Sequence, residues 1–194
     1  MLSAEKLDSV HVCLPHYLHS EVTIYCLNAG VDVLCEKPMD ISYAKALQMK
    51  DAADRSGRKL GIIFQNRYNP GTQFALQLLK SGKIGALKGV SANLTWCRDQ
   101  KYYDQDEWRG KWDTEGGGVL INQAVHSMDF FNYLIGDVKE LRAQMINFSL
   151  DSIEVEDTFS AYISFDNEVN GIFFATNAYG ENTAPMFEVI FEKG

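Results

Sequence analysis

Short apolar runs broken by proline or charge mark the first third of the chain. Ser9-Val10-His11-Val12-Cys13-Leu14 is mostly apolar and stops at Pro15, as a strand buried on both faces does. From about Ser20 to Ala29 the apolar positions Val22, Cys26 and Ala29 recur at helical spacing, and Gly30 supplies a stop. Val31 to Cys35 is a second strand. Ser42 caps a helix running to about Arg55, with Gly57 behind it, and Leu60 to Phe64 is a third strand. Strand, helix, strand, helix, strand at this spacing predicts parallel strands joined by right-handed crossovers.

After Phe64 the rhythm changes. Asn69-Pro70 opens a helix whose apolar face is Phe74, Leu78 and Leu79, ended by Gly82. Val90 to Trp96 reads as a strand, and Gly116-Gly117-Gly118 precedes one long helix reaching Ile135. Phe159, Ala161, Ile163 and Phe165 alternate with Thr158, Ser160, Tyr162 and Ser164, a strand with one buried face. Asp166-Asn167-Glu168 turns it back into Ile172-Phe173-Phe174. The pattern predicts a partial α/β nucleotide-type domain over residues 1–66 and an α+β domain with a predominantly antiparallel sheet over 67–194.

The 194 residues are 46% hydrophobic and 23% charged, ordinary for a globular chain. A formal charge of −8 argues against nucleic acid as a partner. No apolar run reaches the length of a membrane span, and the first residues carry no signal-peptide pattern. Cys13, Cys26, Cys35 and Cys97 form no CxxC and read as buried thiols of a cytoplasmic protein. No G-x-G-x-x-G occurs, and no acidic residue is placed for an adenosine ribose. Three parallel strands without that first turn leave an open apolar edge and predict a fragment of a longer protein or a truncated gene product, cut at the N-terminus.

Candidate chemistry gathers at the strand ends. Glu36-Lys37 follows an apolar run directly and is halted by Pro38, where an open α/β sheet keeps its ligands; the alternative is a solvated turn pair. On the helix after the glycines, Asn122, His126 and Asp129 share one face among apolar neighbours. Such a polar stripe meets either a ligand's hydroxyls or an internal partner, Asp129 for His126. A lysine and a histidine converging from two subdomains suit alcohol oxidation, in which a base takes the hydroxyl proton and a nicotinamide takes the hydride. Gln65-Asn66-Arg67 follows the third strand, where Arg67 can meet a phosphate or carboxylate. Trp108-Arg109-Gly110-Lys111-Trp112 reads either as a clamp on a sugar or nucleotide or as an exposed loop. His11, Cys13, His16 and His19 are dense enough for a zinc site, but their spacing matches no usual zinc pattern, so no metal is expected. His16 and His19 are expected at the carboxyl end of their strand, over the cofactor.

Taken together these segments resemble the Gfo/Idh/MocA family of nicotinamide-dependent oxidoreductases. Leu14-Pro15-His16-Tyr17-Leu18-His19 resembles its strand-end proline with a histidine four residues on, His16 standing where asparagine is frequent. Ala29-Gly30-Val31-Asp32-Val33-Leu34-Cys35-Glu36-Lys37-Pro38 resembles its A-G-K-H-V-x-x-E-K-P signature. Gly116-Gly117-Gly118, His126-Ser127-Met128-Asp129 and Leu134-Ile135-Gly136 resemble its G-G-G…H-x-x-D…L-x-G segment. The resemblance implies a partial Rossmann domain and NAD or NADP as cofactor. It implies a carbohydrate-like substrate bound by Lys37, Arg67, Asn122 and His126. Lys37 would hold a substrate hydroxyl and the nicotinamide ribose, and His126 would be the acid/base. Leu14, Pro15, His16, His19, Glu36, Lys37, Trp108 and Arg109 would line the cofactor site. Many members carry aspartate four residues before the histidine. Asn122 cannot relay a proton, so Lys37 and His126 would suffice, as in the family's nucleotide-sugar dehydrogenases. A few members instead cleave glycosides through transient hydride transfer, and the family commonly oligomerises through its antiparallel sheet. A glycoside hydrolase and a non-catalytic oligomerising module therefore stand as alternatives.

Overall fold

The computed structural model describes residue 2 and residues 4–193. Its first layer is a parallel sheet of β1 (Ser9–Val12), β2 (Asp32–Cys35) and β3 (Leu60–Ile62), in that order. Helices α1 (His19–Asn28) and α2 (Tyr43–Ser56) form the crossovers. They cover one face, where Val12, Val33 and Cys35 meet Leu27, Met49 and Ala52. The other face carries His11 and Leu34, both exposed, so β1 is buried on one face and not on two as its apolar run predicts. Cys13 is likewise exposed, against the expectation of a buried thiol.

Helix ends fall where cap residues stand, but by different bonds. Ser42 occupies the N-cap of α2 without a side-chain bond; the buried Asp40 accepts the backbone N–H of Ser42 (2.9 Å) and of Ser20 in α1 (3.2 Å). One carboxylate thus joins both helix starts, where negative charge is favoured. Helix α3 (Pro70–Ser81) begins with proline in its first turn and ends at Gly82 in the left-handed region.

The second layer is a five-stranded sheet of order β5-β6-β7-β4-β8, from β4 (Leu87–Thr95), β5 (Val138–Ile146), β6 (Thr158–Phe165), β7 (Asn170–Thr176) and β8 (Met186–Phe191). Its pairings are antiparallel except β4 with β7. The alternation in β6 holds after its first residue: Phe159, Ile163 and Phe165 are buried and Ser160 and Tyr162 exposed, whereas Thr158, expected on the polar face, is buried against the Thr176 hydroxyl. Phe131 seats this core, its ring 5.5 Å from Phe173 and 5.2 Å from Phe187.

The single long helix expected over 119–135 is broken. After the short helix α4 (Gln100–Asp104), helix α5 (Val119–Asn122) stops, α6 (Val125–Phe130) follows, and Phe131–Ile135 winds as a π-turn. At the break the Ala124 amide reaches back to the Val119 carbonyl at 2.8 Å, a wider turn than the α-helix makes. The start of α5 requires glycine: a Cβ on Gly118 would lie 1.7 Å from the Glu156 carbonyl oxygen. That approach lets the buried Glu156 carboxylate accept the N–H groups of Gly118 (2.9 Å) and Leu120 (3.0 Å).

Candidate active site

Three loops leave the carboxyl ends of β1, β2 and β3, the side on which open α/β sheets bind ligands. They carry Pro15 and His16, Glu36 and Lys37, and Gln65 to Tyr68. The 105–118 loop and the broken helix α5–α6 pack against them.

Lys37 Nζ donates to the main-chain oxygen of Asn122 at 2.6 Å and to its side-chain Oδ1 at 3.2 Å. The carbonyl is on offer because α5 ends at that residue. Burial pushes the Lys37 amine below the ordinary lysine value, against the pull of Glu36 and Glu115 and with the aid of Arg109. Asn122 is consequently not a free substrate ligand as expected: its amide NH₂ donates to Glu115 (2.6 Å) and lies 3.3 Å from the Tyr102 hydroxyl.

His126 lines a cavity of about 360 Å³ together with Gln65, Asn66, Trp96, Gln123, Phe130 and Phe187 among others. Gln65 Nε2 makes a long contact to His126 Nε2 at 3.4 Å. Nδ1 is buried without a hydrogen-bond partner. The internal alternative, a histidine bonded to Asp129, is not formed, because Asp129 is taken by Arg67 through two bonds of 2.7 and 2.5 Å. Burial first, then the nearby Lys37 charge, holds His126 below the ordinary imidazole value, with Asp129 and Glu36 opposing, which favours the uncharged ring. The Lys37 amine is thus close enough to act on His126 electrostatically, and its anchor Asn122 adjoins the cavity residue Gln123.

Arg67 corrects another expectation. The Nε/Nη2 edge of its guanidinium is clamped on Asp129, and the group lies over the rings of Tyr133 (4.8 Å) and Phe64 (5.4 Å), so that edge is spent on an internal carboxylate and not on a ligand. It instead ties the β3 loop to α6, three residues from His126.

His16 is buried, donates Nδ1–H to the Glu115 carbonyl at 2.8 Å and packs 4.7 Å from the Trp108 ring. Burial, assisted by Lys37, His19 and Arg109, drives it down to about 4, the Glu115 bond resisting. His19, expected over the cofactor, is fully buried with its ring nitrogens 2.7 and 2.8 Å from the Pro38 and Leu14 carbonyl oxygens. It braces the two loops and has no surface for a ligand. His11 lies on the uncovered sheet face, 3.9 Å from Glu36. His16, His19, His11 and Cys13 therefore do not converge, and among the described residues no group of three or more metal-ligating side chains is assembled. Arg109 donates to Asp106 (2.9 Å) and to the Tyr102 hydroxyl (2.5 Å), with its guanidinium over the Tyr102 and Trp108 rings. Trp108 and Arg109 thus stand beside His16, whereas Trp112 is exposed.

Glu115, Tyr102 and Gln123 belong to this network and carried no recognisable motif. Gln123 donates to the Tyr102 hydroxyl (3.0 Å) and accepts from Asn177 (3.0 Å). The sole signal for Glu115 was an acid placed directly before a glycine run.

Comparison with known proteins bears on this arrangement. Residues 1–64 match the oxidoreductase family with NAD-binding Rossmann fold, and residues 72–194 match the GFO/IDH/MocA C-terminal domain. D-glucoside 3-dehydrogenase of Escherichia coli (strain K12) is 32% identical over 138 residues, 70% of this chain and 38% of that protein. Levoglucosan dehydrogenase of Pseudarthrobacter phenanthrenivorans is 26% identical, covering 93% of this chain and 52% of that protein. The chain spans about half the length of such relatives or less. The crystal structure of the WlbA dehydrogenase from Bordetella pertussis, in complex with NADH and UDP-GlcNAcA, superposes with a TM-score of 0.94 at 32% identity. It is matched over 99% of this chain and 58% of that one. Segment by segment, from the strand-end loops to the helix bearing His126, the chain belongs to the Gfo/Idh/MocA oxidoreductase family.

Proposed function

We propose that the protein is an NAD(P)-dependent oxidoreductase acting at a hydroxyl-bearing carbon of a sugar, cyclitol or sugar derivative, and that this chain holds its reacting residues. The carrying observation is a cavity-lining imidazole, its basicity lowered by burial, within reach of the charge of a half-buried lysine amine. His126 Nε2 takes the hydroxyl proton as the alcohol is oxidised. Lys37 stabilises the negative charge growing on that oxygen. Burial lowers both groups, but the carboxylates Glu36 and Glu115 oppose it at Lys37, while the Lys37 charge reinforces it at His126. Apart from the imidazole, the cavity lining is amide, hydroxyl and apolar, with Trp96 among it, a lining that suits an uncharged polyol ring.

Glu36, Lys37, the Leu14-Pro15 backbone, Trp108 and Arg109 are the residues here that would hold the nicotinamide end. The donor set fits: a half-buried amine for a ribose hydroxyl and a carboxylate beside it at the end of β2, with an indole from the 105–118 loop packed on His16. When bound, the nicotinamide supplies the hydride acceptor that side chains lack. Purified full-length protein given NAD or NADP and a panel of sugars deuterated at each carbinol position should form reduced cofactor bearing one deuterium. Sugar release without net cofactor reduction would favour the hydrolytic alternative and sink this reading.

The four free thiols support a reducing, cytoplasmic setting. No helix among the described residues is long and apolar enough to cross a membrane. The outer face of the five-stranded sheet supports self-association: Tyr162, Ile172, Phe174 and Met186 lie exposed on it around a shallow hollow. Sedimentation equilibrium should show an oligomer that Ile172→Arg weakens; a monomeric unaltered protein at micromolar concentration removes this part.

A further inference from the structure

Glu115 is a carboxylate at 1% exposure in a loop, one residue removed from the proposed proton transfer through its bond to Asn122. A buried acid persists only where its oxygens are satisfied. Oε2 accepts the Gly110 N–H at 2.5 Å and Oε1 accepts the Asn122 side-chain N–H at 2.6 Å. An ionised carboxylate can only accept, so it dictates which end of the Asn122 amide faces it. The amide oxygen is then turned to Lys37 Nζ, 3.2 Å away. Ammonium, amide and carboxylate form one unbroken line, with a donor facing an acceptor at each of its two joints.

We infer that Glu115 is a positioning residue for Lys37: through the Asn122 amide it fixes the amine's place and supplies the buried counter-charge that keeps it an ammonium. This rests on the proposed role of Lys37 at the substrate hydroxyl. The other charged or titratable groups facing that amine are Glu36 on its own loop, His16 after β1, Arg109 in the 105–118 loop and His126 on α6. Arg109 opposes the ammonium and Glu36 supports it, so Glu115 is the buried support from across the cleft. Burial raises the Glu115 carboxyl, while its bonds to Gly110 and Asn122 and the Arg109 charge hold it down.

Glutamine at 115 removes the charge. It also turns an NH₂ group toward Asn122 when its own oxygen serves Gly110, so the Asn122 amide must flip and set its NH₂ against the ammonium. Asn122→Asp in the same protein moves the lost charge one step along the line and restores an acceptor at each joint. The test is titration of Lys37 in full-length protein carrying ¹³Cε-labelled lysine, the signal assigned from Lys37→Met. Glu115→Gln should lower the Lys37 pKa by roughly one pH unit, and the alkaline limb of kcat/KM should move down with it. The Glu115→Gln/Asn122→Asp double variant should return both toward the unaltered values. A folded Glu115→Gln protein with an unchanged Lys37 titration overturns the inference. So does a double variant whose Lys37 stays lowered, which also decides the matter if the single variant does not fold. The titration needs no turnover. A Lys37 that follows Glu115 in a protein inert toward all sugars supports the inference and counts against the dehydrogenase reading alone.

Discussion

Lys37→Ala in the full-length protein should lower turnover by roughly 10²–10⁴-fold, the range spanned by a positioned proton-transfer or charge-stabilising group. The amine is half-buried and held by two bonds to Asn122, so it is already placed before substrate arrives. Alanine leaves the Asn122 carbonyl at the helix break without its donor and removes the positive charge that, after burial, lowers His126. His126 then rises toward its ordinary value, and the acid limb of kcat/KM should move to higher pH along with the loss of rate. The two effects separate a chemical from a structural role. A fall in rate with an unmoved acid limb would mean that Lys37 only shapes the cleft, and an unchanged kcat would remove it from the chemistry.

Stability should fall as pH drops from about 6.5 to about 4 because of His16. Its folded value lies below its ordinary one, so the unfolded chain binds a proton in this window that the folded chain refuses. The stabilisation is complete above the ordinary value and is lost as pH approaches the folded value, below which the loss levels off. The gap between 6.5 and about 4 corresponds to about 3 kcal/mol at most. Carboxylates titrate in the same region, so the measurement is a difference. His16→Asn keeps a donor for the Glu115 carbonyl and cannot titrate. Urea unfolding of both proteins at a series of pH values should show curves that diverge only below about 6.5. Parallel curves would mean that the buried imidazole accepts its proton freely.

Much of the architecture was legible before any coordinates. The apolar runs of β1 to β3 gave their strands and parallel order, because buried strands leave continuous apolar segments. The alternation in β6 gave its buried face, because strand side chains point to opposite sides. Strands β5 and β8 were not singled out; β5 is an edge strand exposed along almost all its length, so no burial imprints a period on it. The helix break at Gln123-Ala124 was invisible for a related reason. The residues on either side have helical spacing, and the interruption arises where the Asn122 carbonyl meets an amine 85 positions away.

The sequence alone determined which chemistry is present: an amine at a strand end, an imidazole on a glycine-led helix, and the order of segments that carries the family. Local rules suffice for this, since caps, periods and motifs are properties of neighbours along the chain. Only the tertiary structure decided what each polar group touches. Arg67 went to Asp129 and not to a ligand, His19 to two backbone carbonyls, and Glu115 to the amide beneath Lys37. A buried polar group must be satisfied by whatever the fold brings within about 3 Å, and that partner is set by packing between distant segments.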